Sequence, residues 1–569
     1  MNPLNEQQLS RLQTSIEWSN RQLEFPRRKR VEAIKQYVGS HYSDGGAEKR
    51  VPVNMLALSV LIYVRQLAAR APRVMISTKR EDLKSTAANL ELAINQIPDE
   101  IGLGLTFRRL VTEAMFSLGI VKVGLHTVSE ALGHKYGAPF VDVITLDDYF
   151  MDASAKRRDL ISYEGNDYWL DYEELMDSGW VEKDKRADLK PDEYTVIGPA
   201  GEDRAEGIAS DESAQLYKDR IWLRDVWLPD ERLVVTYGVK SKKLLKTVEW
   251  DGPDHGPYYT LGFADVPGNL LPLPPGALWR DLHELGNALF RKLANQADSQ
   301  KTVHGFSGGN EESVEVFKKA GDGDGIRYTG QPPVELKTGG VEQTTLAFYL
   351  QTRNLYSYFA GNIDSVGGLA PMTQTVGQDR LIGEAASAQL RDMAGSVMVV
   401  AREIFSALAW YEWHDPIGRR TLEKPVPGTK LSIPVEWGRE SKLGSFSLYD
   451  LDIDPYSLQD DSPGLKLQKL GMVVNQYVLP LAPLIQQAGG EIDVQAILKL
   501  VGQYADLPEI GEIVTFVEPP ANQTPDQLPM PAHTTRTYER VGRPGKTQQG
   551  ADTEMQQLLL SKDLQDSGA

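Results

Sequence analysis

The chain has 569 residues, 41% hydrophobic and 25% charged, with a formal net charge of −18. That length suffices for several domains and a sizeable core, and the composition is that of a folded globular protein. Zero cysteines exclude disulfides, cysteine-ligated zinc and thiol catalysis. The acidity argues against a surface that grips nucleic acid throughout, because duplex affinity comes mainly from Lys and Arg neutralising phosphates.

No run approaches the ~18 uninterrupted apolar residues of a membrane span. The start, Met1-Asn2-Pro3-Leu4-Asn5-Glu6, has neither the basic start nor the apolar core of a signal peptide. The expectation is a protein of a reducing cytoplasm, or of particles assembled there, with no membrane.

Residues 5–38 read as one or two amphipathic helices marked by Leu9, Leu12, Ile16, Leu23, Val31, Ile34 and Val38, with a break expected at Pro26. The cluster Arg27-Arg28-Lys29-Arg30 lies there. A nucleic-acid patch and a solvated helix face both fit it, and the second is the commoner meaning of such a run. A helix opens at Pro52 and closes before Pro72, and two more are expected near 83–97 and 104–118.

From 119 the period changes to that of strands: Ile120, Val121, Val123 and Leu125, then Val141, Val143 and Leu146, ended by Asp147-Asp148-Tyr149-Phe150-Met151-Asp152. Further strands are expected at 221–223, 226–228, 233–237 and 258–263, with a charged, exposed insertion over about 183–215. The fold class expected is α+β and mainly helical.

Leu271-Pro272-Leu273-Pro274-Pro275 is a stiff linker. The helix after it carries Leu278, Leu282, Leu285, Leu289 and Leu293 on one face. Residues 301–341 form a small module of turns and short elements, and a second helix runs over about 342–360 with Leu346, Leu350, Leu355 and Phe359. A loop rich in Gly, Ser, Thr and Gln, 361–378, precedes a helix of about 379–414 with Ile382, Ala386, Leu390, Met393, Val397, Val400, Ile404, Leu408 and Tyr411 in phase. That helix would extend ~54 Å. Strands are expected at 430–437 and 445–453, then helix over 463–504, and after Glu518 a polar tail lacking fixed structure apart from a short helix near 553–563.

Chemical motifs are few. Gly305-Phe306-Ser307-Gly308-Gly309 satisfies the pattern of a hydrolase nucleophile elbow, but that device needs a buried parallel strand feeding a sharp turn. The approach Ala297–His304 is largely polar, which favours an ordinary turn. Gly542-Arg543-Pro544-Gly545-Lys546-Thr547 has Arg540 where a phosphate-binding loop needs glycine. Asp322 and Asp324, set among glycines, lack the remaining ligands of a calcium loop. Asp452 and Asp454 alternate along a strand edge, and the eight histidines are scattered. No cofactor or metal is expected, and catalysis is not expected.

The order of elements over 276–414 (helix, small module, helix, loop, very long helix) resembles the central part of tailed-phage portal proteins. Arg50-Val51-Pro52-Val53-Asn54, Gly119-Ile120-Val121-Lys122-Val123-Gly124 and Asp147–Asp152 are similar to their wing. The resemblance covers roughly 25–510 and is one of architecture, without a catalytic signature.

It implies an N-terminal wing at 1–270, a first stem helix at 271–300, a clip at 301–341 and a second stem helix at 342–360. A tunnel loop would follow at 361–378, a long wing helix with strands at 379–460, a helical crown at 461–517 and a tail at 518–569. It further implies a dodecamer forming the channel for double-stranded DNA at one capsid vertex of the virion, assembled in the host cytoplasm. Implied partners are the terminase large subunit, head-completion, adaptor or tail proteins, and the major capsid or scaffolding protein. The tunnel loop would hold Val366, Gly367, Gly368, Leu369, Pro371, Thr373 and Gln374. Arg291, Lys292 and Arg353 would make sparse, non-specific DNA contacts, and Asp322, Asp324 and Arg327 would lie where motor and adaptor dock. Two alternatives stay open: another virion ring or scaffold protein, and a hydrolase using Ser307.

Overall fold

The structure is a computed structural model that describes residues 5–39, 51–126, 137–177, 219–306, 334–366, 376–416 and 432–454. It also describes short, partly interrupted stretches within 181–192, 311–321, 418–425 and 471–481. The class is mixed α and β, with more helix than strand, 51% against 22%.

The chain begins with α1, Glu6–Val38, capped by Asn5 in a capping box with Gln8. Pro26 does not break it, contrary to the expectation from sequence. The lost backbone hydrogen bond is offset by anchors on both sides of the proline. Ile16 and Leu23 are buried before it, and the buried Arg27 after it donates to the carbonyls of Leu146 (2.9 Å) and Tyr149 (2.8 Å).

The basic cluster is split: Arg28 and Lys29 lie on a solvated face, as expected, whereas Arg27 and Arg30 are buried. Arg30 is buried with Glu113 (2.6 Å) and Asp147 (3.2 Å). Arg28 and Lys29 pair with Glu24 and Glu32 on α1 itself.

Helices α2 (Met55–Leu67), α3 (Lys84–Glu100) and α4 (Leu103–Phe116) follow, with strand β1 (Val74–Ser77) between the first two. Next come β2 (Gly119–Leu125), β3 (Pro139–Ile144), β4 (Tyr149–Met151) and β5 (Glu164–Asp171). Two short helices, α5 (Tyr172–Asp177) and α6 (Lys183–Arg186), lead to β6 (Arg220–Leu228), β7 (Leu233–Gly238), β8 (Leu244–Glu249) and β9 (Tyr258–Leu261).

Strands β4 to β8 form a five-stranded sheet in sequential order, each pair antiparallel, and β3-β2-β9 form a second sheet. α1 lies on one face of the larger sheet through Ile16 and Leu23, while Leu175, Val181 and Leu189 pack with Ile221, Leu223 and Leu245.

β5 escapes a hydrophobicity reading. Its sequence is Glu-Gly-Asn-Asp-Tyr-Trp-Leu-Asp, yet Glu164, Gly165, Asn166 and Asp167 are all buried. Each polar group has a partner: Arg158 on Glu164, Tyr258 on Asn166, Arg224 on Asp167. A Cβ at Gly165 would collide with the Asp225 carbonyl and the Phe150 ring, so only glycine fits there. Burial pushes the Asp167 carboxyl up, and the Arg224 guanidinium pulls against that shift.

After the Pro-rich linker comes α7, Pro275–Asp298, with proline at its first position. Strand β10 (Lys301–Gly305), helix α8 (Glu311–Lys319) and strand β11 (Val334–Thr338) make up the small module, with β10 and β11 antiparallel. Then come α9 (Gln343–Phe359), a single turn α10 (Ile363–Val366) and α11, Val376–His414.

The 39 residues of α11 give a length of ~58 Å; its side chains are described from Ala388 onward. Val397, Ile404, Phe405 and Leu408 are fully buried in the largest core, where the helix packs against α2, α3, β2, β9 and the later strand Asp450–Ile453. Ala388–His414 is long and apolar enough to cross a membrane, and this packing accounts for its apolar character.

β12 (Arg420–Pro425) pairs with β13 (Ser432–Trp437), and β14 (Asp450–Ile453) pairs with β1. Asp452 stands in that pairing, opposite Met75.

Two units divide the chain, Met1–Asp460 and Asp461–Ala569. All elements above belong to the first. In the second, the described part is a π-helical turn at Val474–Val478 with its neighbours. The rest of the helix expected over 463–504, and the tail, lie outside the described residues.

Candidate functional site

α7 and α9 form an antiparallel pair. Gln296 accepts from the backbone of Glu342 (3.2 Å), and Phe290 meets Tyr349 with ring centroids 5.5 Å apart. At the opposite end Tyr63 packs on Trp279 (5.4 Å) and donates to the Ala360 carbonyl (2.9 Å).

The face each helix buries differs from the face its sequence advertises. α7 buries Gly276, Trp279, His283, Gly286 and Asn287. At about 100° per residue, the leucine stripe lies roughly a quarter turn away. Leu278 is 55% exposed and Leu285 40%, Leu282 and Leu289 are half-buried, and only Leu293 is buried. α7 is thus three-sided: one side against the rest of the chain, one of leucines, and one polar side with Asp281, Glu284, Lys292 and Asn295 exposed.

α9 behaves likewise. It buries Thr345, Tyr349, Thr352 and Tyr356. Leu346 and Leu350 stay exposed on one flank, and Phe348, Leu355 and Phe359 on the other. A helix apolar on nearly every side belongs in an interior or an interface. α2 adds Leu58 and Leu61, both turned outward. These exposed side chains form far more apolar surface than isolated exposed leucines would.

Of the DNA-contact candidates, Lys292 and Arg353 are exposed on the outer sides of the pair and Arg291 is half-buried. Hydrogen bonds from Thr344 and Thr345 hold the Glu342 carboxyl below its ordinary range, and the charge of Lys292 assists. Val366 ends α10. Gly367, Gly368, Leu369, Pro371, Thr373, Gln374, Asp322, Asp324, Arg327 and Ser307 lie outside the described residues.

The strand before Ser307 is described. β10 belongs to an exposed two-stranded antiparallel sheet, with Val303 opposite Leu336 and both exposed. A nucleophile elbow rises from the buried interior of a parallel sheet, and β10 offers no such setting.

Titratable groups converge in the sheet region. Tyr149 donates to Glu164 (2.5 Å) and Arg158 clamps the same carboxylate, while Lys122 bridges Asp225 (2.8 Å) and Asn166 (3.1 Å). Burial pushes the Tyr149 and Tyr258 hydroxyls well up. Shifts of this kind mark active sites when a substrate can reach them. Here the groups satisfy one another, and the two open depressions along α1 are lined by other residues, among them Arg11, Trp18 and Lys242. Among the described residues no group of three or more His, Asp or Glu side chains could hold a metal ion.

Sequence reading overlooked Phe348, Tyr358, Leu58 and Leu61 as outward side chains. The available signal was that α9 has apolar residues on both flanks, more than one buried face requires. No protein-family model matches the chain, and no curated protein matches it.

Proposed function

We propose that this chain is the ring subunit of a tailed-phage portal, forming the axial channel through which double-stranded DNA is packaged and ejected at one capsid vertex. One observation carries the reading. The antiparallel pair α7–α9 turns Leu278, Leu285, Leu346, Phe348, Leu350, Leu355 and Phe359 outward, next to a helix of 39 residues that runs through the core. The side chains that cover these apolar sides belong, in this reading, to a second copy of the chain. A head-to-tail interface whose rotation closes makes a ring. Each Leu or Phe it fully buries contributes about 1.5–3 kcal/mol relative to full exposure.

In this reading α1–α6 and the sheets form the wing, α7 and α9 the stem, and β10, α8 and β11 the clip that meets the terminase and later the adaptor or tail proteins. The segment 361–378 is the tunnel loop, 461–517 the crown and 518–569 the tail. The wing faces capsid or scaffolding protein. A net charge of −18 suits a conduit, since phosphates slide past a wall that does not neutralise them. Lys292 and Arg353 supply sparse contacts without base readout. Catalysis has no part in this function, and the finished ring resides in the virion.

Negative-stain electron microscopy of the purified full-length chain tests the proposal. Rings with a central hole are expected. Protein that stays monomeric across micromolar concentrations and salt conditions would overturn it.

A further inference from the structure

The interface between α7 and α2 is polar at one end, and that end is where α7 leaves the body of the subunit. Asn287, 1% exposed, clamps the backbone of Val53 in both directions: its Oδ1 accepts the Val53 N–H (3.1 Å) and its Nδ2 donates to the Val53 carbonyl (3.1 Å). One turn earlier His283, fully buried, accepts the Leu56 N–H at Nδ1 (3.3 Å). Between them Gly286 lies under the terminal methyl of Met55, 2.8 Å from where a Cβ would stand. α9 has a matching clamp, the Tyr356 hydroxyl on Ser59 (2.8 Å). Past Asn287 the pairings described for α7 are with α9, at Phe290–Tyr349 and Gln296–Glu342.

We infer that His283 and Asn287 are the pivot that fixes the angle of the helix pair to the rest of the subunit, and through that angle the number of copies that close the ring. The second half of this inference rests on the ring reading above. The geometry makes it demanding. Near about twelve copies, one subunit more or fewer changes the rotation per interface by only about 2–3°. Over the ~16 Å from Asn287 to the end of α7, such a tilt moves the far end by less than ~1 Å. Apolar contacts are non-directional and tolerate that shift, whereas directional hydrogen bonds at separate points, Asn287 on Val53, His283 on Leu56 and Tyr356 on Ser59, together define one seating of the helix pair. Buried polar groups in an otherwise apolar contact are accordingly a device for selecting one arrangement. His283 and Asn287 are positioning residues: they touch neither DNA nor a neighbouring copy in this account.

The absence of cysteine makes the test direct. Spin labels on Arg65→Cys and Asn295→Cys, both exposed positions, report the angle by electron–electron double resonance in the full-length chain. Native mass spectrometry reports the ring count. Wild type should give one narrow distance distribution and one ring count. Asn287→Ala and His283→Leu should at least double the width and mix the ring counts. His283→Asn, which keeps an acceptor for the Leu56 N–H, should return both towards wild type, a rescue that a packing role alone would not give.

Wild-type widths in Asn287→Ala overturn the pivot. Widened distances with an unchanged ring count overturn its link to ring size. If Asn287→Ala fails to fold by thermal melt, Tyr356→Phe removes the matching hydroxyl alone, with the same expected and contrary results. A wild-type chain that forms no rings overturns the link to ring size together with the reading it rests on, while the distances still decide the pivot.

Discussion

The five-stranded sheet and the helix pair solve opposite problems. In the sheet region charged side chains sit inside and are matched within the subunit: Asp167 with Arg224, Glu164 with Arg158, Asp147 with Arg30. In the pair α7–α9 apolar side chains sit outside and are matched by nothing among the described residues. The first region completes itself. In the proposed ring the second is completed by a neighbouring copy, so on that proposal the difference separates what folds the subunit from what assembles it.

Breaking the sheet's internal matching should give the largest loss of subunit stability. Asp167→Asn leaves the Arg224 guanidinium buried beside a neutral partner, and urea unfolding should register a loss of about 3–5 kcal/mol. The paired change Asp167→Leu with Arg224→Met should recover most of it. A single and a double variant of equal stability would mean that the ion pair is not what the sheet depends on.

A smaller effect, on the helix side, is tied to pH. Burial lowers the His283 imidazole from its ordinary value to about 4, and Arg291 adds to the shift. The folded form therefore resists a proton that the unfolded chain accepts. The stability from neutral His283 is fully present above the unfolded value near 6.5 and is lost as pH falls from there to about 4, by roughly 3 kcal/mol. Urea midpoints of wild type should fall over that window relative to His283→Asn. Parallel pH profiles would show that burial does not hold His283 neutral.

The same comparison explains what could be read from the sequence. Helix positions came through well: the expected helices near 83–97, 104–118 and 379–414 correspond to α3, α4 and α11. Which face each helix buries did not, because periodicity marks an apolar face without saying whether its cover lies in the same chain. On α7 the leucine stripe was visible, yet the subunit buries Trp279, His283 and Asn287 instead. β5 was invisible for the converse reason, being buried through paired polar groups. Within the cluster at 27–30, Arg28 and Lys29 are solvated as read, but two of its residues misled in the same way. Arg27 and Arg30 reach distant carbonyls and carboxylates, and a linear sequence does not display those partners. The Pro26 break failed because anchors on both sides outweighed one lost hydrogen bond.

The central claim is that the outward apolar sides of α7 and α9 are the seam between subunits. Sedimentation velocity of wild type beside Leu285→Arg with Leu355→Arg tests it most directly. Both side chains are already exposed in the single subunit, so the variant's thermal melt as a monomer should lie within about 0.5 kcal/mol of the wild-type monomer's. The account predicts that wild type sediments as a closed assembly and that the double variant sediments as a monomer at the same concentration. A double variant that still assembles as wild type does would contradict it.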